Sequence, residues 1–158
     1  MRGQQLNLWE DEKQIILERE KVDMSTLKTL KTRTHAFSLL PPDTYYIYKT
    51  GGINPFMKEL GPIFPVIKNY RGKILKQVSL TTGTDAPYPH LFLSPPTGER
   101  LKCFLHKIVG LAFLKNDNFE QKYLIDHLDG NIFNYMPHNL EWVTHSENQK
   151  RWRSRWKK

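Results

Sequence analysis

The chain has a single cysteine, Cys103, in 158 residues. An internal disulfide is excluded and a cysteine-rich structural zinc site is disfavoured, so a reducing, intracellular compartment is expected. Long apolar runs are also missing: nothing approaches the ~20 residues that span a bilayer, and residues 1–14 have no apolar centre of the signal-peptide kind. A soluble protein without a membrane partner is the expectation. What is present fits a folded chain, with 39% apolar residues and aromatics spread throughout. The length allows one ordinary domain, or a small catalytic module with an appendage.

Basic residues outnumber acidic ones by 24 to 16, and the net charge of +8 is unevenly placed. Residues 1–24 sum to −2, 25–125 to +8, 126–148 to −4 and 149–158 to +6. A cationic body thus surrounds an acidic island. Such a pattern suits a polyanion gripped by the flanks while carboxylates in the island hold a cation against a phosphate.

Along residues 8–40 the apolar spacing predicts three short helices. The first runs from Leu8 to Lys21. The second is capped by Asp23 or Ser25 and ends at Leu30, and the third runs from Thr32 or Thr34 to Leu40, where Pro41-Pro42 stops it. Trp9 at the start, a short central helix and Arg33-Thr34 opening the third resemble a Myb-like helix-turn-helix over about thirty residues. A helical cap with Trp9 and Phe37 in the core fits the same residues. Residues 1–45 are therefore expected to be a helical segment and 46–62 a linker, followed by a domain over 63–158. Tyr45, Tyr46 and Tyr48 could stack on bases, and they also read as a short strand.

From Phe64 the pattern turns to strands: PVIKNY, KILKQVSL, HLFLS and RLKCFLH, separated by turns at Arg71-Gly72 and Pro95–Gly98 and by a loop from Thr82 to Pro89. An antiparallel sheet of three or four strands is expected. Lys68, Arg71, Lys73, Lys76, Arg100 and Lys102 lie on or beside it and are candidates for tracking phosphates, although edge lysines also discourage aggregation. His106 to Leu114 reads as a buried helix. The fold class expected is α+β.

The most informative stretch is 123–148, which reads as strand, loop, strand and helix, the helix opened by Ser146. Within it stand D-H-x-D-G-N-x-x-N from Asp126 to Asn134, N-L-E-W-V-T from Asn139 to Thr144, and Glu147-Asn148. This order resembles the HNH homing endonucleases of the His-Me finger, or ββα-metal, superfamily, a family that phages and introns or organelles commonly encode. The resemblance extends upstream through H-K-I-V-G-L-A-F from His106 to Phe113. It implies a DNA endonuclease, nicking or double-strand cutting, that uses one Mg²⁺ or Mn²⁺ ion. It further implies His127 as general base, Asp126 and Asn148 as metal ligands, and Asn139 as the residue whose hydrogen bonds across the loop fix the imidazole.

Those residue types suit the chemistry. Phosphodiester hydrolysis needs an activated water, neutralisation of phosphoryl charge and support for the departing oxygen. An imidazole titrates in the right range for the first task. One carboxylate and one amide oxygen leave room for water and phosphate on a hard ion. A regular strand would point Asp126 and His127 to opposite faces, so a kink or strand end is required.

Asp129, Gly130, Asn131 and Asn134 suit loop shaping. His138 and His145 suit the surface, and Tyr135, Met136 and Pro137 are less polar than such a loop usually is. The tail QKRWRSRWKK continues the helix, with Lys150, Arg151, Arg153 and Arg155 as candidate nucleic-acid contacts. DNA is the expected partner, with RNA as the alternative. Two rival readings remain: a catalytically inactive HNH-derived binding or structural protein of a ribonucleoprotein, and a Myb-like regulator carried by the N-terminal helices.

Overall fold

The structure is a computed structural model that describes residues 20–27, 37, 40–77, 87–96, 98 and 100–156. Among the described residues it is mixed α and β, with small antiparallel sheets and two α-helices. Strand β1 (Val22–Asp23) pairs with β2 (Tyr45–Gly52), and β2 pairs with β3 (Phe64–Asn69), giving a three-stranded sheet in the order β1-β2-β3. A second sheet joins β4 (His90–Leu93) to β5 (Leu101–Phe104). A third joins β6 (Leu124–His127) to β7 (Leu140–Val143). Helix α1 (Leu105–Phe113) follows β5 directly, and helix α2 (His145–Trp156) follows β7.

Three expectations need correction. Residues 46–62, read as a linker, begin with the central strand of the first sheet, because Tyr45, Tyr46, Ile47 and Tyr48 favour an extended, half-buried strand. Over the described part of the helix expected through Leu30 there is a single 3-10 turn, Met24–Thr26, after which Leu27 is extended. Asp23 does cap that turn, accepting from the Ser25 amide at 3.0 Å, but its other oxygen accepts from the Asp43 amide at 2.9 Å. The cap is thereby tied to the turn before β2. Finally, the strands expected to form one sheet are divided between two, and within 73–77 the ladder contributes only an isolated bridge between Lys68 and Ile74. Of the helices expected from Leu8 to Lys21, through Leu30 and on to Leu40, residues 8–19 with Trp9, 28–36, 38 and 39 lie outside the described residues; Phe37 is buried.

One apolar core joins these pieces. Met24 from the 3-10 turn and Ile47, Phe64 and Ile67 from the first sheet meet Leu91, Leu93 and Cys103 from the second, and Leu105, Ile108 and Val109 from α1. Tyr135 and Leu140 bring the β6–β7 hairpin into the same cluster. Helix α1 lies close on the hairpin at Gly110, where an added Cβ would stand 2.4 Å from Ile125 Cδ1 and 3.1 Å from the Trp142 ring. A larger residue there would force the Ile125 side-chain end to shift and press on the Trp142 ring. The Trp142 indole N–H donates to the Gly110 carbonyl at 3.4 Å.

Candidate active site

The β6–β7 register sets Ile125 opposite Trp142, Asp126 opposite Glu141 and His127 opposite Leu140. Because side chains alternate along a strand, Asp126 and His127 leave opposite faces. Asp126 turns toward α2, where Arg151 bridges it to its cross-strand neighbour Glu141. His127 turns toward α1, with the His106 ring 5.2 Å away and the Tyr88 ring stacked at 5.9 Å, centroid to centroid. Strand β6 ends at His127, and this strand end lets both residues line one cavity of about 450 Å³. Asn148, His106, Tyr88, Trp152 and Arg155 line it as well.

The loop after His127 is held by its own polar side chains. The Gly130 amide donates to the His127 carbonyl at 2.8 Å, and Gly130 takes φ 74°, a left-handed conformation open to glycine. Asn139, buried at the far end, spans the loop. Its Oδ1 accepts from the Asp129 amide at 3.1 Å, and its Nδ2 donates to Asp129 Oδ1 and to the Asn134 carbonyl, both at 2.9 Å. Asp129 also accepts from the Asn131 amide at 2.8 Å and from Asn134 Nδ2 at 2.9 Å. Tyr135, unusual for a polar loop, is the anchor. It is fully buried, packs edge-on against Phe64 and donates its hydroxyl to Gln77 at 2.6 Å.

Helix α2 begins at His145, one residue before the expected Ser146, because Thr144 and Glu147 form a reciprocal cap. The Glu147 amide donates to Thr144 Oγ1 at 3.1 Å, and the Thr144 amide to Glu147 Oε1 at 3.4 Å. This start places Asn148 in the first turn, half-buried at the cavity wall. One and two turns further, Arg151 and Arg155 reach Asp126. Arg155 grips it with both guanidinium nitrogens, at 2.7 and 3.0 Å, and Arg151 adds a bond of 2.9 Å. As placed, these two arginines face the carboxylate and not an outer phosphate surface.

The electrostatics follow from burial and these partners. Burial pushes the Asp126 carboxyl up, but Arg155 and Arg151 outweigh it and hold it below the ordinary carboxylate value. Burial lowers the His127 imidazole below its ordinary value, partly opposed by Asp129 and Asp126. His106, deeper still, is driven well down by burial and by its neighbours His127 and Lys107. Both imidazoles therefore favour the neutral form. Each carries a buried nitrogen with no hydrogen-bond partner: Nε2 of His127 and Nδ1 of His106.

Among the described residues, no three His, Cys, Asp or Glu side chains cluster as a metal-holding group. A divalent ion here would rest on the Asp126 carboxylate and the Asn148 amide oxygen, with water and phosphate filling the shell. The hard oxygen donors suit Mg²⁺ or Mn²⁺. The shared cavity and the orphaned His127 nitrogen beside it fit that group, provided an arginine yields a carboxylate oxygen.

The remaining candidates for nucleic-acid contact are spread over the surface. Lys68 sits over the Tyr48 ring at 4.8 Å, Arg71 over Tyr70 at 5.3 Å, Arg100 over Phe92 at 4.3 Å and Lys102 over Phe104 at 5.3 Å. Lys73, Lys76, Lys150 and Arg153 are exposed. Lys68 belongs to the first sheet and Lys102 to the second, so the strands do not gather them on one sheet. His138 and His145 are exposed, the latter bonded to Gln149 at 3.0 Å. Tyr88 was not foreseen at the site: it lies in sequence at the end of an irregular loop, and only the tertiary packing carries it over His127. His106 had a local signal, a histidine opening an otherwise apolar helix.

Residues 115–150 match the family model described as HNH endonuclease. An uncharacterized HNH endonuclease of Acanthamoeba polyphaga mimivirus is 33% identical over 103 residues, covering 65% of this chain and 25% of that protein. The chain thus spans about a quarter of that relative's length. No solved structure matches it. The matched segment contains β6, the asparagine-rich loop, β7 and the opening of α2, so the strand, loop, strand and helix around Asp126, His127 and Asn148 form a module of the HNH endonuclease family.

Proposed function

We propose that this chain is a metal-dependent DNA endonuclease of the homing type, with its centre at the cavity between β6, α1 and α2. The observation that carries the reading is that His127, whose buried Nε2 has no hydrogen-bond partner, lines one cavity with Asp126 and Asn148. An imidazole nitrogen without a partner, in the tautomer that leaves it unprotonated, can take a proton from a water that reaches it beside a bound phosphodiester. Burial favours its neutral form, which is the form a general base needs. The loop network through Asn139 and Asp129 holds the strand end that presents the ring. Asp126 and Asn148 would hold one Mg²⁺ or Mn²⁺ ion, which when bound supplies charge neutralisation at the phosphoryl oxygens and support for the leaving oxygen.

Exposed Lys73, Lys76, Lys150 and Arg153, with the ring-backed Lys68, Arg71, Arg100 and Lys102, supply the cations that a polyanion requires. The buried, lone Cys103 suits the reducing interior of a cell. A second reading is favoured by one observation. Both oxygens of Asp126 are engaged by arginines, as they would be in an HNH-derived binding protein whose carboxylate has become structural.

Supercoiled plasmid incubated with the full chain and Mg²⁺ or Mn²⁺ separates the two. The expected result is nicking or linearisation that stops with a chelator and falls at least ~100-fold in His127→Ala, in line with loss of a general base, while DNA binding persists. Tight binding by well-folded protein that never nicks would establish the second reading instead.

A further inference from the structure

Asp126 is contacted by two arginines, but their circumstances differ. Arg151 shares one nitrogen between Asp126 and Glu141, at 2.9 and 2.8 Å, so it keeps an acidic partner whatever happens to Asp126. Arg155 commits both terminal nitrogens to Asp126, and among the described residues its only other acceptor is the Leu128 carbonyl at 3.4 Å. Arg155 also lines the cavity with His127 and Asn148, whereas Arg151 does not border it.

We propose that Arg155 is an exchangeable guard: it occupies the Asp126 carboxylate until a divalent ion takes that place, and then turns its guanidinium onto the scissile phosphate. The proposal rests on the nuclease reading above. An ion on Asp126 needs the lone pairs that Arg155 holds, and its charge repels the guanidinium, so the two cannot share both oxygens. The displaced fork is planar and bidentate, a shape that fits phosphate as well as carboxylate. The move stays within one cavity and is a side-chain rotation on α2, with no backbone rearrangement required. Arg151, still bonded to Glu141, stays behind as a fixed support. The arrangement would make loading with metal and presentation of the phosphate ligand a single exchange.

The test is Mn²⁺ binding to DNA-free full-length protein, followed by electron paramagnetic resonance, paired with single-turnover nicking at saturating Mn²⁺. Arg155→Ala removes the competitor and should tighten Mn²⁺ binding about tenfold, the scale of one charge-assisted hydrogen bond lost. Nicking should slow by about 100-fold because the phosphate loses its ligand. Arg155→Lys keeps the charge without the fork and should fall between on both measures; it carries the test if the alanine variant fails to fold by circular dichroism. Unchanged or weaker Mn²⁺ binding in the folded variants would overturn the guard, and undiminished nicking would overturn the phosphate role. Asp126→Ala serves as the reference. Should it bind Mn²⁺ as the native chain does, the metal reading itself fails; should it lose Mn²⁺ while Arg155→Ala gains nothing, only the guard fails.

Discussion

The three-stranded sheet and the β6–β7–α2 module differ in how much polar material they bury. The sheet buries Ile47, Phe64, Val66 and Ile67, whereas the module, beside apolar Tyr135, Leu140, Trp142 and Val143, also buries the polar Asp126, His127 and Asn139, and α2 has no buried residue at all. Burying polar groups costs free energy unless each finds a partner. The module meets that demand with amide and guanidinium donors, and it leans on the sheet through Tyr135 against Phe64 and through Asn54 Nδ2 donating to the Phe133 carbonyl at 2.7 Å. The contrast separates duties: apolar packing sets stability in the sheet, and a costly polar interior in the module supplies chemistry. His127 Nε2 is buried without a partner, and in the proposed reading that cost in stability serves the function.

Two substitutions probe that division directly, the larger effect on stability coming from the sheet. Phe64→Ala empties the centre of the core and should cost about 3–5 kcal/mol, read as a shift in the urea midpoint. Asn139→Ala breaks three side-chain hydrogen bonds but no large packing contact, and should cost about 1–3 kcal/mol. Its effect on cleavage per folded molecule should nonetheless exceed that of Phe64→Ala. Equal losses of stability, or a reversed order in cleavage, would erase the distinction between the two regions.

The smallest effect concerns pH. His106 and His127 have folded pKa values below the ordinary 6.5, so between those values the unfolded chain binds more protons than the folded one. Stability from this source is complete above 6.5 and declines as pH falls below it. Asp126, whose folded pKa lies below 3.8, adds a loss in the same direction only in stronger acid. Urea unfolding at pH values of about 7.5 and 5.5, which bracket the imidazole range, should show lower stability at the acid value, and His106→Phe should reduce the difference. A slope unchanged by that substitution would mean that the ring is not held neutral by its burial.

The catalytic module was legible because its signals are local. Asp126, His127, Asn139 and Asn148 lie within 23 residues, and strand, loop and helix patterns there are short-range. The Thr144–Glu147 cap was in the sequence too, although the helix start was placed at Ser146. Other features depend on packing between distant segments. The four-residue spacing of Arg151 and Arg155 puts them on one helix face, but nothing in that spacing says that the face meets Asp126. Tyr88 reaches His127 across 39 positions. Strand β2 was obscured by its flanks, where Pro41-Pro42 and Gly51-Gly52 suggest irregular chain, while its aromatic and β-branched residues prevailed once β1 and β3 offered ladders on both sides. Alternation also identified strands without identifying their partners, which is why one expected sheet became two.

Anomalous diffraction from crystals soaked with Mn²⁺ and an uncleaved DNA oligonucleotide tests the central claim most directly. The account predicts one peak bound by Asp126 and Asn148, with a phosphate beside His127 Nε2 and Arg155 moved off the carboxylate. A peak elsewhere, or DNA bound with Asp126 still clasped by Arg155 and no metal at saturating Mn²⁺, would contradict it.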